Sequence, residues 1–181
     1  MHLENDRIII RTFEQPDAKD LFEMCSDYDT AYYAGWRPHK DIYISSNVVT
    51  NYIYGKETMA IVLKETNKVI GTISLYKEVF RKNTNCRELG FCLNKKYRQN
   101  HYMSDAVKMV LDYGFNKLKL DLIYACTLLD NLPSQKILEN SNFLLEGIIR
   151  DYRVLFTKEV VSVKMYSLLK EEYWRNQKCA N

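Results

Sequence analysis

The 181-residue sequence predicts a mixed α/β fold. Two observations lead there. Short β-branched runs and amphipathic stretches are intermingled along the chain rather than segregated. The second half then reads as strand–helix–strand–helix–strand and closes on an antiparallel pair. No repeat, low-complexity segment or interdomain linker interrupts the order, so a single domain over residues 1–181 is expected.

The elements follow in order. Arg7 to Phe13 is short and β-branched, a first strand. Pro16 and Asp17 start a helix carrying Ala18, Leu21, Phe22 and Cys25 at helical spacing. Tyr28 to Lys40 is aromatic and reads as irregular, broken by Gly35 and Pro38. Ile44 to Tyr54 is read as a helix. Met59 to Leu63 and Val69 to Val79 are strands joined by a turn at Thr66-Asn67-Lys68. A polar turn at Arg81 to Asn85 leads into a strand at Cys86 to Leu93. Met103 to Leu118 places Ala106, Val107, Val110, Leu111, Phe115 and Leu118 on one stripe, a strong helix. Leu122 to Thr127 is a buried-type strand. Leu132 to Ser141 is a helix, with Asn131 as N-cap and Asn142 as a left-handed C-cap. Phe143 to Phe156 and Val160 to Leu168 pair across Thr157-Lys158-Glu159, and Lys170 to Gln177 is a short polar helix.

Composition excludes several classes. Hydrophobic residues make up 46%, too many for a disordered chain. The net charge of +3 is too weak to argue for a nucleic-acid partner, and the charges are interspersed. Cys25, Cys86, Cys92, Cys126 and Cys179 show no CxxC pairing, and His2, His39 and His101 are scattered. Neither a disulfide framework nor a metal site is expected, and a reducing, cytoplasmic setting fits better. The opening MHLENDRIII lacks a basic region followed by a long apolar run, so no signal peptide is expected, and no stretch is apolar enough for a membrane partner.

Three places could carry chemistry. In RELGFCL, Leu89, Phe91 and Leu93 share one face, the expected core face. Cys86, Glu88, Gly90 and Cys92 share the other. Glu88 is a carboxylate on an otherwise apolar strand: either a solvated or paired surface group, or a general base. The stretch KKYRQNHYMS then leads from that strand to the start of a helix, whose free N–H groups favour phosphate. Finally, Asn131 and Ser134 open the helix after LIYACT, where capping alone would explain them.

Together these residues resemble the GNAT superfamily of acetyl-CoA-dependent N-acetyltransferases, most closely the branch with ribosomal-protein N-terminal acetyltransferases (RimJ/RimL-like). The resemblance covers nearly the whole chain. It rests on RIIIRTFEQPDAKDLFEMCSD, AGWRPH, VIGTISLY, RELGFCLNKKYRQNHYMSDAV, NLPSQKILENSNFLLEGIIRDY and VKMYSLLKEEY, in the family's order. It implies a mixed, mostly antiparallel sheet of about seven strands flanked by helices, with the fourth and fifth strands splayed around pantetheine. It implies acetyl-CoA as cosubstrate. Phe91, Cys92 and Leu93 would bind the pantetheine arm; Arg98, Gln99, Asn100, His101, Tyr102, Met103 and Ser104 the pyrophosphate; and Asn131 and Ser134 the reactive end. Glu88 would deprotonate a primary amine, Ser134 or a water would protonate the leaving thiolate, and Trp36 and His39 would lie on the acceptor side. The acceptor would be a small-molecule amine or a protein N-terminus, and a homodimer stays open because many relatives dimerise.

The chain also departs from the family pattern. His101 and Met103 stand where the loop usually has glycines, and many relatives have another glycine in place of Gln99. Asn100 and His101, residue types that tolerate the left-handed region, are expected to replace glycine's geometry. Leu138 occupies the place of a tyrosine acid. These departures keep a second reading open, a catalytically silent CoA-binding or protein-interaction module.

Overall fold

The computed structural model describes residues 1–77, 81 and 85–179. The end of the strand expected to reach Val79, residues 82–84 of the polar turn and the side chain of Cys179 lie outside the described residues. The strands are β1 (Leu3–Glu4), β2 (Ile8–Arg11), β3 (Thr58–Leu63), β4 (Lys68–Lys77), β5 (Cys86–Leu93), β6 (Leu122–Leu128), β7 (Leu144–Val154) and β8 (Val160–Leu169). The helices are α1 (Ala18–Cys25), α2 (Tyr28–Ala34), α3 (Ile42–Gly55), α4 (Tyr102–Asp112), α5 (Leu132–Asn140) and α6 (Lys170–Cys179). Hydrogen-bond ladders give the strand order β1-β2-β3-β4-β5-β6-β8-β7, mostly antiparallel, with β5 and β6 parallel. The eighth strand is β1, which pairs Leu3 with Ile10 and Glu4 with Ile9 and is too short to show a periodicity.

The chain divides into two compact units, Met1–Ser74 with Phe91–Ala106, and Leu75–Gly90 with Val107–Asn181. In the first, α1 and α3 cover one side of β3. Phe13, Ala18, Leu21, Met24, Cys25, Val49, Ala60, Val62 and Val69 form its buried cluster. The segment read as irregular contains helix α2. Its limits follow local rules: Asp27 caps it by accepting the Thr30 N–H at 3.0 Å, and Gly35 ends it at φ 81. The aromatic run hid a helix whose two end signals were present.

In the second unit the helix expected through Leu118 holds α-geometry only to Asp112. Tyr113–Lys117 widens into a π turn, where the Leu118 N–H donates to the Tyr113 carbonyl at 3.0 Å. Gly114 lets this turn approach β6, since a Cβ there would stand 2.7 Å from Ile123 Cδ1. Phe115 stacks on Tyr173 of α6 with ring centres 4.8 Å apart. The predicted turn between β7 and β8 is present, closed by the Leu155 N–H on the Glu159 carbonyl at 2.8 Å. Asn142 follows α5 at φ 63, as its position after the helix required.

One face assignment needs correction. Cys86 and Cys92, placed on the non-core side of β5, are both covered. Cys86 packs with Leu122 and Tyr124, and Cys92 packs against the cluster under α1 and α3. Both sides of the strand carry packing, so alternation alone could not name an outer face.

Candidate active site

Within the first unit, the segment after β5 is built from buried anchors outward. Asn94 is 3% exposed, and its backbone N–H donates to the Ile70 carbonyl at 2.9 Å. Its side chain caps the short turn Lys95–Tyr97 through the Lys96 N–H and donates to Glu23 Oε1 at 3.2 Å. Arg98 is braced, with Nη2 on Thr30 Oγ1 at 3.0 Å and Nε on the Leu93 carbonyl at 3.3 Å. The other side is held from β2. Arg7 bonds Asp105 Oδ2 through Nη2 at 2.6 Å and the Asn100 carbonyl through Nη1 at 3.0 Å, and its guanidinium lies 4.9 Å from the Tyr102 ring centre. Nothing in the local sequence signalled Arg7, because its partners lie over ninety positions away.

Two residues of this loop are left-handed: Gln99 at φ 65 and His101 at φ 61. Both stand at positions where the resemblance puts glycine. Asn100, expected to share that role, does not. Its side chain instead donates to the carbonyls of Arg98 at 3.0 Å and Tyr97 at 3.4 Å, which stitches the loop between the two left-handed residues. His101 is exposed, and Met103 is 3% exposed, so Met103 packs as core at the base of α4. The backbone N–H groups of residues 99–104 donate no hydrogen bond among the described residues. The first N–H to find a partner is that of Asp105, on the His101 carbonyl at 3.0 Å. Free N–H groups alternating with left-handed residues at a helix start suit an anion.

Of the other expected residues in this unit, Phe91, Leu93, Tyr102 and Ser104 are half-buried. Trp36 packs against the α1–α3 cluster with its Nε1 buried and, among the described residues, without a hydrogen-bond partner. His39 is half-buried, with Nδ1 2.7 Å from Ser45 Oγ and its backbone N–H on the Cys25 carbonyl, and burial lowers its pKa. Burial also raises the thiol of Cys92, to about 12.

In the second unit, the β5–β6 ladder pairs Cys86 with Leu122, Arg87 with Ile123 and Glu88 with Tyr124, and ends there while β5 runs on to Leu93. Glu88 is half-buried, and the Tyr124 hydroxyl donates to its Oε2 at 3.4 Å. Tyr124 is 1% exposed and lies under the Arg81 guanidinium, 5.4 Å from its ring centre; Arg81 in turn pairs with Glu146. Cys126 lies next on the same side of β6 and is hydrogen-bonded to Tyr152 of β7. Burial, with the Glu88 charge adding to it, raises the Cys126 thiol to about 11, and burial raises Tyr152 as well. A thiol held that high is protonated at neutral pH and is no nucleophile. Tyr124, Cys126 and Tyr152 were invisible as a group in the sequence, since two strands far apart in the chain, β6 and β7, bring them together. Asn131 and Ser134 lie at the start of α5, where Asn131 Oδ1 accepts the Ser134 N–H at 3.3 Å. Leu138 is 1% exposed and serves the core.

Residues 7–143 match the model of the acetyltransferase (GNAT) domain. The chain belongs to the GNAT acetyltransferase family. It is 31% identical over 176 residues to an uncharacterised N-acetyltransferase, p20, of Bacillus licheniformis, covering 94% of this chain and 97% of that one. A solved GNAT-family acetyltransferase from Bacillus anthracis superposes with a TM-score of 0.86 at 27% identity, over 95% of this chain and all of that one. The ribosomal-protein-S5-alanine acetyltransferase of Vibrio fischeri superposes at 0.74 and 20% identity, over 96% and 98% of the two chains, a likeness of fold. The GNAT match begins at Arg7, so β1 precedes it. Among the described residues there is no group of metal-ligating side chains, and no helix is long and apolar enough to cross a membrane.

Proposed function

We propose that this GNAT protein transfers an acetyl group from acetyl-CoA to a primary amine, with Glu88 as general base. The observation that carries the reading is Glu88 at the last pair of the β5–β6 ladder, with the Tyr124 hydroxyl on its Oε2. Acetyl-CoA supplies a thioester carbonyl and a thiolate leaving group. The segment 98–104 suits the cosubstrate's pyrophosphate. Left-handed Gln99 and His101 give the backbone the turn that glycine gives in relatives, and the N–H groups of residues 99–104 are without partners among the described residues. Arg98 supports this binding through its brace to Thr30, and Arg7 through its clamp on Asn100 and Asp105. Phe91, Cys92 and Leu93 carry the pantetheine role by resemblance.

An amine is protonated near neutral pH and must lose a proton before it can attack. Glu88 takes that proton, and the hydroxyl hydrogen bond from Tyr124 steadies the carboxylate as acceptor. A backbone N–H of β5 polarises the carbonyl under attack. The Ser134 hydroxyl or a water returns a proton to the leaving sulfur. The high thiol of Cys126 argues against an acetyl-cysteine relay, which favours direct attack.

The test is a screen of amine classes against acetyl-CoA with detection of free thiol. Thermal shift with acetyl-CoA reports binding separately, because a ligand that binds only the native state raises the melting temperature. Glu88→Gln should lower kcat at pH 7 by about 100-fold, and by less at pH 9.5, where more of the amine is already deprotonated. A folded variant with an unchanged rate across pH removes Glu88 from the mechanism.

A further inference from the structure

Gly90 follows Glu88 by two residues on β5, so its missing side chain belongs to the side of the strand that carries Glu88. The space it leaves is occupied. A Cβ at Gly90 would stand 2.9 Å from Cε2 of Tyr76, 3.6 Å from its Cδ2 and 3.8 Å from its Cζ. Tyr76 of β4 therefore rests one edge of its ring on Gly90, next along the strand from Glu88, and stays 38% exposed.

The β6 side of Glu88 is apolar. Glu88 pairs with Tyr124 in the β5–β6 ladder. Cys126, two residues on from Tyr124, pairs with Met165 of β8, and both are half-buried against the cluster of Cys86, Leu122 and Tyr124. The Arg81 guanidinium lies over this patch, 5.4 Å from the Tyr124 ring centre and with Nη2 3.5 Å from Met165 Sδ. Arg81 in turn engages Glu146. A half-buried carboxylate is thus bordered by an open tyrosine ring, a thiol and a thioether, with a cation above the last. One ammonium is drawn to Glu88. A second cation on the same molecule would lose water against apolar groups and meet Arg81, whereas a hydrocarbon chain gains from burial.

We propose that Tyr76 is a specificity-determining residue, a wall that receives the apolar body of the acceptor while Glu88 receives its amine. The acceptor class is then a primary amine on an uncharged aliphatic or aromatic chain, and diamines and polyamines are disfavoured. A free alkylamine or arylalkylamine and a peptide with an apolar first residue offer the same chemistry. This inference rests on the acetyl-transfer reading above and deepens it.

The experiment measures free-thiol release with acetyl-CoA in two arms. One compares hexylamine with cadaverine, which have the same length and end in a methyl and an ammonium. The other compares short peptides that begin with leucine or with lysine. Rates are expressed per unprotonated amine. The wild type should favour the apolar member by about tenfold or more in kcat/KM, mainly through KM, and the arm with the higher kcat/KM identifies the source. Tyr76→Ala should bring that preference below about threefold, and Tyr76→Phe, which keeps the wall, should restore it. Gly90→Ala reaches the same ring from below: its Cβ meets the edge of a partly exposed side chain that can swing aside, so the preference should fall here too. Melting curves with and without acetyl-CoA report folding and cosubstrate binding, and Gly90→Ala carries the test alone should Tyr76→Ala not fold. Acetylation with no apolar preference in the wild type, or with the preference intact in either folded alanine variant, overturns the role of Tyr76 and leaves acetyl transfer standing. Acetylation of no amine in these arms or in the broader screen overturns the acetyl-transfer reading, and the Tyr76 proposal falls with it.

Discussion

Glycine at positions 99 and 101 should make this protein slightly more stable and leave its cosubstrate site intact. Gln99 and His101 hold φ values of 65 and 61, where a residue with a Cβ is disfavoured by about 1–2 kcal/mol. Glycine removes that cost but adds unfolded-state entropy equivalent to about 0.4–1 kcal/mol. Both side chains are exposed, so little packing is lost. The net is a gain of about 0.5 kcal/mol per site, or about 1 kcal/mol for the double variant. For a chain of this size that is a rise of about 2–4 °C in Tm. His101→Val should fall by about 1 kcal/mol or more, because a β-branched side chain tolerates the left-handed region worst. Circular dichroism melts of Gln99→Gly, His101→Gly, the double variant and His101→Val give the order. Calorimetric titration with acetyl-CoA then asks whether the geometry alone matters, in which case His101→Gly binds at least as tightly as the parent. A double glycine variant destabilised by more than about 1 kcal/mol, or a valine variant as stable as the parent, would refute the argument from backbone geometry.

Two other substitutions separate rigid from yielding contacts. A Cβ at Gly71 would meet the Cys92 carbonyl oxygen at 2.6 Å, and backbone cannot step aside, so Gly71→Ala should cost about 2–3 kcal/mol in urea unfolding. Gly114→Ala meets only side-chain ends, Ile123 Cδ1 at 2.7 Å and Leu120 Cδ1 at 3.3 Å, and gains helix propensity, so it should change stability by less than about 1 kcal/mol; equal losses at both sites would contradict this reading. Hydrogen bonds from Lys68 and Lys96, with Asn94 adding a weaker one, lower Glu23 to about 2. Its contribution, about 1 kcal/mol for so open a network, is present above pH 4.5 and lost as pH falls toward 2. Glu23→Gln should therefore be less stable than the parent at pH 7 and converge with it by pH 2–3, and a gap that persists or widens in acid would contradict the assignment.

What the sequence determined by itself were the properties set by near neighbours. The β5 boundaries, the Asn131 cap and the left-handed Asn142 follow from alternation, capping and helix termination, each decided within a few residues. The loop before α4 was legible as a strand-to-helix connection that needs left-handed backbone. Which of its residues turn left-handed was not, because Asn100 found carbonyl partners while Gln99 and His101 took the strain. Helix α2 was hidden by its aromatic composition although Asp27 and Gly35 marked its ends. Only the tertiary structure decided the rest. The Arg7 clamp joins residues over ninety positions apart, and Cys86 was buried and Cys92 partly covered by clusters that no single-strand alternation predicts. The surroundings of Glu88 come from β5, β6 and an irregular β7, where one left-handed aspartate precedes Tyr152. Strand pairing and bulge position depend on the whole sheet, so chemistry assembled across strands stays unreadable until the sheet is formed.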